Sequence, residues 1–223
     1  MLTLNEAIVY LPASIYNMSQ PQPIRLTLKS SILDRNRSLV IDSNYIEFDD
    51  TDLIGKPLTR FTKDDIKAYR YGISWIRGYQ FAIGRIYCID IQANSGKTIK
   101  LRLKTIYGIR KKQLSDKYVQ VITALNGYFF EEIARSYLNL FDNQMDFELG
   151  GLVFSQAGIA FDSNTAPVHW QDIGTHLHTT YYTIYPKPNP NAYKAFEYLH
   201  HWNTGIIYSV SRSILKSMGL YNE

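Results

Sequence analysis

The sequence predicts a mainly β chain with two helices, an α+β arrangement of two small antiparallel barrels, each closed by a C-terminal amphipathic helix. Three observations carry this expectation. Short apolar-polar alternations recur at close spacing in both halves, as they do in small barrels and sandwiches. Each half then ends in one stretch whose apolar residues recur at three and four. Finally, 18 Tyr, 10 Phe and 3 Trp favour strands, because flat, stiff side chains suit a pleated, half-buried surface.

Residues 1–23 end in Ser-Gln-Pro-Gln-Pro, whose prolines lack a backbone donor, so this stretch reads as an N-terminal arm. Ile24, Leu26 and Leu28 alternate with Arg25, Thr27 and Lys29 as in a strand, and Asp34-Arg35-Asn36 reads as a turn. Residues 39–48 give a strand pair around Asp42-Ser43-Asn44, and 49–57 a polar, acidic loop. Residues 61–73 read as extended chain and 75–81 as a loop rich in large aromatics. The clearest hairpin is 86–104. Tyr87, Ile89 and Ile91 alternate with Cys88 and Asp90 in one arm, and Ile99, Leu101 and Leu103 with Lys100, Arg102 and Lys104 in the other. Asn94-Ser95-Gly96 supplies its turn.

Ser115-Asp116 reads as the start of a helix whose stripe is Tyr118, Val121, Ile122, Leu125, Phe129, Ile133 and Leu140. Asp142-Asn143-Gln144 follows as a linker. The second half restarts with a strand at 152–155, a turn at Gln156-Ala157-Gly158 and a returning strand at 159–162. Extended chain follows over 168–183, then a proline-rich loop at 186–190. Asn203-Thr204 caps a last helix with Ile207, Val210, Ile214 and Met218 inward. The expected domains are therefore 24–142 and a shorter 143–223.

The two halves also match in order. Ile46-Glu47-Phe48-Asp49 corresponds to Ile159-Ala160-Phe161-Asp162, and Asp65-Ile66 to Asp172-Ile173, with a helix closing each half. On these residues, and on Gly158-Ile159 followed by Trp170-Gln171-Asp172-Ile173, the chain resembles the bacterial pleckstrin-homology-like (PH-like) domains over residues 24–220, as a tandem. Tyr45-Ile46 followed by Lys63-Asp64-Asp65-Ile66 is the first copy's version, without the Gly and the Trp. The resemblance implies a partly open barrel plugged by its helix, and binding instead of catalysis.

Several chemistries fall away on residue type. Ser95-Gly96-Lys97-Thr98 has the ending of a phosphate-binding loop, but the glycine required five positions before Gly96 is Ile91. Cys88 is the only cysteine, so no intrachain disulfide or cysteine-rich zinc site can form. Adjacent carboxylates such as Asp64-Asp65 diverge on any regular backbone. No cofactor is expected.

Three surfaces remain as candidates. A basic stripe runs over 97–117, where Lys97, Lys100, Arg102, Lys104, Lys111 and Lys112 are the expected ligand-binding residues for an anionic lipid or phosphate; a solvated strand face is the plainer reading. Nucleic acid is not favoured, since no stacking motif accompanies the charges. Trp75, Tyr79 and Phe81, with Tyr181, Tyr182 and Tyr185, are the expected anchors for a protein partner or self-association; filling the seam between domains would use them equally well. His169, Asp172, His176 and His178 have the types a metal-dependent hydrolase needs, with His176 and His178 on one strand face, yet no third ligand is fixed by spacing. Metal binding is the runner-up to no metal.

Net charge is +4 and uneven: 1–141 holds 20 Lys and Arg against 13 Asp and Glu, and 142–223 holds 4 against 7. The N-terminus has no basic leader, carries Glu6 in its apolar run and is broken by Pro12, so it is not expected to act as a secretory signal. No window approaches the roughly 20 apolar residues of a membrane span. The sequence thus reads as a bacterial, cytoplasmic, non-catalytic interaction protein.

Overall fold

A computed structural model describes residues 23–29, 34–50, 57–162 and 164–220. Apart from Pro23, the expected arm lies outside these residues. The chain divides into two compact units, and the division falls between Phe129 and Phe130, inside helical chain, where the composition gives no linker signal.

In the first unit, β1 (Ile24–Leu28), β2 (Arg37–Ile41), β3 (Tyr45–Phe48) and β4 (Thr59–Thr62) form an antiparallel sheet in sequence order. The β2–β3 turn is an Asx turn: Asn44 N–H donates to Asp42 Oδ1 at 3.1 Å and Asp42 N–H to the Tyr45 carbonyl at 2.9 Å. A 3-10 turn, Lys63–Asp65, then stops the ladder. The Asp65 carboxylate accepts from Thr62 N–H and Thr62 Oγ1, closing a capping box. These two bonds hold the Asp65 carboxyl below its ordinary value, the hydroxyl contributing most.

Beyond this turn the chain enters a second sheet of β5 (Ile66–Arg77), β6 (Ala82–Ala93) and β7 (Thr98–Ile106). The expected alternation is realised in β7, where Ile99, Leu101 and Leu103 are buried while Lys100 and Lys104 are exposed. α1 (Lys111–Leu125) covers the apolar side with Leu114, Tyr118, Val121 and Ile122, and the rings of Tyr87 and Tyr118 meet at 5.1 Å. It begins four residues before the expected Ser115. Its N-cap, Arg110, has left-handed φ of +56° and none of the residue types that mark a helix start. The expected single helix is a run over 111–142, interrupted by a π-helical segment, Asn126–Phe130, before α2 (Glu131–Asp142).

The second unit contains α2 and repeats the plan in shorter form. Sheet β8 (Phe147–Leu149), β9 (Leu152–Ser155), β10 (Gly158–Ala160) and β11 (Val168–His169) is followed by a 3-10 turn, Trp170–Asp172. Then come β12 (Ile173–Leu177), β13 (Tyr181–Pro186), β14 (Lys194–Glu197) and α3 (Thr204–Ser217). Strands β8 and β14 are too short for alternation to reveal them. Phe147 stacks on Phe154 at 5.1 Å, Trp170 stands edge-on to Phe141 at 5.7 Å, and its indole N–H donates to the Ser155 carbonyl at 3.0 Å. α3 buries Ile207, Val210 and Ile214, each worth about 1.5–3 kcal/mol relative to exposure. Met218, expected inward, is exposed at the helix end.

The expected barrels are not closed: among the described residues the strands form four separate open antiparallel sheets. The physical reason is the 3-10 turn, which ends one ladder and starts the next without pairing β4 to β5 or β11 to β12.

Register places the matched sequence positions at the same structural points. Ile46 pairs with Phe61 and Ile159 with Val168; Tyr45 pairs with Thr62 and Gly158 with His169. Asp65-Ile66 and Asp172-Ile173 both mark the step from turn to strand. Where the next strand ends, Asn94 N–H donates to the Asp65 carbonyl and Lys187 N–H to the Asp172 carbonyl, both at 2.7 Å. The same residues reach back one position further: Asn94 Nδ2 donates to the Asp64 carbonyl at 2.9 Å and Lys187 Nζ to that of Gln171 at 2.7 Å. Two different side chains thus make one latch.

Candidate interaction surface

The β5–β6 hairpin, the longest among the described residues, ends in a group of exposed aromatics. Trp75 lies in β5 opposite Arg85, not in a loop as expected; only 78–81 turns, closed by Gly78 N–H donating to the Phe81 carbonyl at 2.8 Å. Trp75 shares a strand face with Tyr71 and Ile73 but lies past the part that is buried, and the Arg85 guanidinium sits 4.6 Å from its ring centroid. Tyr79 is 99% exposed and Phe81 67%.

The β7–α1 connection is brought to the same end. Gly84 pairs with Ile106, and a Cβ at Gly84 would lie 2.2 Å from the Thr105 carbonyl oxygen, so glycine is what lets β7 approach. Tyr107 N–H donates to the Ile83 carbonyl at 2.8 Å and Thr105 Oγ1 to the Ile109 carbonyl at 2.8 Å. Fixed in this way, with left-handed backbone at Tyr107, Gly108 and Arg110, the connection leaves Tyr107 74% exposed and Ile109 half exposed. Sequence periodicity missed Tyr107 and Ile109 because they lie in no periodic element. An available signal was charge: 74–86 and 103–115 contain no Asp or Glu.

The basic stripe does not form one free surface. Arg102 Nη1 lies 2.6 Å from Asp90 Oδ1, while Arg70 Nε bonds Asp90 Oδ2 at 3.0 Å, so a buried carboxylate engages both guanidiniums. Lys97 Nζ donates to Thr59 Oγ1 at 3.0 Å. Lys100 and Lys104 are exposed on the outer face of β7, with Lys111 half-buried and Lys112 exposed in the first turn of α1. Burial raises the thiol of neighbouring Cys88 above its ordinary value, Asp90 adding to the effect against Arg102 and Arg70; it is a poor nucleophile there.

The second aromatic segment is different again. Tyr182 is 1% exposed, its hydroxyl 2.8 Å from Ser211 Oγ, which donates to the Ile207 carbonyl at 2.7 Å. It is a core residue and not an exposed anchor, because it faces oppositely to Tyr181 on β13. Tyr181 stacks on the His178 ring at 4.1 Å, and Tyr185 lies over Gly174, where a Cβ would meet its ring at 2.4 Å.

Of the histidine cluster, only His176 and His178 come together, ring centroids 4.3 Å apart. His169 Nδ1 lies 3.2 Å from the Ala157 carbonyl in another sheet, and Asp172 ends the 3-10 turn. Among the described residues no three His, Cys, Asp or Glu side chains converge where a metal could sit. Desolvation, then the neighbouring His176, lowers the His178 pKa below its ordinary value.

Among the described residues no helix is long and apolar enough to cross a membrane. Comparison of the chain with protein-family models, with curated proteins and with solved structures finds no match in any of the three.

Proposed function

We propose that this chain is a cytoplasmic, non-catalytic interaction module built from two PH-like repeats of unequal length, with its contact surface at the β5–β6 end of the first. The repeat reading is supported by the shared order of four-stranded sheet, 3-10 turn with Asp-Ile, three-stranded sheet and helix. It is supported further by the common register and by the Asn94 and Lys187 latches.

The observation that carries the contact surface is the gathering of Trp75, Tyr79, Phe81, Tyr107 and Ile109, all about half exposed or more, at one end of one sheet. Exposed apolar groups that cluster in this way mark interaction sites, whereas scattered ones do not. Large aromatics with few rotatable bonds are also the residues that dominate contact energies. The test is to fractionate extracts of the source cells containing either the tagged protein or its Tyr79→Ser/Phe81→Ser variant. The wild type is expected in a particulate or high-mass fraction and the variant to be released from it. Both proteins migrating alike as lone chains would refute the reading.

A further inference from the structure

We infer that the β5–β6 end docks on the surface of an anionic lipid bilayer, a partner class that rests on the contact surface proposed above. Shape is the first argument. The apolar groups stand on a hairpin turn and on the adjoining β7–α1 connection, and their exposure makes them protrude. Tyr79, at 99% exposure, touches almost nothing of its own chain. A Trp, two Tyr, a Phe and an Ile on a protrusion match the polarity gradient of the headgroup region, where amphipathic rings partition with their apolar bodies inward.

Charge is the second argument. Arg77 is exposed beside the turn, Arg85 lies against Trp75, Lys104 faces outward two residues before the end of β7, and Lys111 and Lys112 open α1. No Asp or Glu occurs in 74–86 or in 103–115 to offset them. Cations that border an apolar wedge complement an anionic leaflet, because insertion places them at phosphate depth. A stacking surface for single-stranded nucleic acid would instead present its rings along a charged groove. Here the rings occupy the end of a hairpin, and the outer sheet face carries Lys100, Lys104 and the Arg70–Asp90–Arg102 group.

The test uses the full chain with sucrose-loaded vesicles, one set of phosphatidylcholine alone and one containing a third phosphatidylglycerol. Co-sedimentation is expected only with the anionic set, falling at least tenfold between about 50 and 500 mM salt. A blue shift of tryptophan emission should accompany it and disappear in Trp75→Phe. Tyr79→Ser/Phe81→Ser and Arg77→Glu/Lys112→Glu should each weaken binding at least tenfold, with the thermal midpoint unchanged because all four side chains are exposed. Equal binding to both vesicle sets, or no binding to either, would overturn the bilayer as partner. If vesicles fail while the extract still shows a lipid-free protein complex lost in Tyr79→Ser/Phe81→Ser, the bilayer inference falls and the contact surface stands. If that variant equals the wild type in both assays, both fall.

Discussion

The two units follow one plan but spend their length differently. In the second, the β12–β13 hairpin ends soon after the Leu177–Tyr182 pair. In the first, the corresponding pair is Tyr71–Ile89, and the hairpin continues through Arg77 and Ala82. Tyr182 and Ile89 are both buried to within 2%, and in the first unit burial runs one inward position further, to Tyr87 at 2% opposite Ile73. Everything proposed as a contact surface on β5 and β6 lies in the part the core does not require. Charge follows the same division: 1–129 carries 19 Lys and Arg against 11 Asp and Glu, and 130–223 carries 5 against 9, together with all five histidines. The lesson is that a repeated plan shows function by subtraction. What one copy has and the other folds without is free to serve a partner.

The shared plan of the two units makes its strongest demand on their cores. Phe154 and Ile41 occupy the same register position, paired with Ile159 and Ile46 respectively, and both are fully buried. Phe154→Ala should cost about 3–5 kcal/mol and Ile41→Ala about 2–5 kcal/mol in urea unfolding followed by tryptophan emission. A cost below about 1 kcal/mol at either position would mean that the two sheets are not built alike.

A smaller effect tests where the copies differ on purpose. Gly158 stands where the first unit has Tyr45; its φ is +153°, and a Cβ would lie 1.8 Å from the Val168 carbonyl oxygen. Gly158→Ala should therefore cost about 1–3 kcal/mol and speed amide exchange across the β10–β11 pair, while Tyr45→Ala leaves its own strands paired. Asp90 offers a similar contrast. Its counterpart is Thr183, a neutral residue whose hydroxyl donates to the His176 carbonyl at 3.2 Å. Asp90→Thr, which gives the first unit the residue of the second, removes a carboxylate shared by two guanidiniums that are 29% and 35% exposed. A loss of about 1–3 kcal/mol is expected by thermal melting, with solvent screening on the arginine side keeping it at the lower end.

The smallest effect is in pH. His178 is a base whose folded pKa is depressed, so the folded state prefers it neutral. Stability from this site is complete above the unfolded value near 6.5 and declines as pH falls through it. The thermal midpoint should drop between pH 7.5 and 5.5, and His178→Gln should reduce that drop. With no histidine in 1–129, amide exchange over the same pH range should quicken in β12–β13 and leave β5–β6 unchanged once intrinsic rates are removed.

Much of this was legible in the residues because one face of a strand must be apolar. That constraint exposed the 86–104 hairpin, the β2–β3 and β9–β10 pairs, and the Asp-Ile steps. It could not find β8 or β14, where three or four residues leave little room for a period, nor the π-helical segment, whose spacing no helical stripe encodes. The candidate surface was half visible. Trp75, Tyr79 and Phe81 stood out by type, but an exposed aromatic and a core one look identical in sequence. Tyr182 was therefore grouped with them, although it is bonded to Ser211 inside the second unit. Likewise Arg102 reads as free beside Lys100 and Lys104 until the fold brings Asp90 and Arg70 across from neighbouring strands.

The extension of β5–β6 beyond the core also limits how such a protrusion can change over evolutionary time. Side chains alternate, so removing one residue from each arm would carry the Trp75–Arg85 pair together to the opposite face of the sheet. Viable lengths therefore come in steps of two residues per arm, each step moving the aromatic turn by roughly 7 Å. Reach can be retuned in these increments while the pairs from Tyr71–Ile89 down to the latch keep their places.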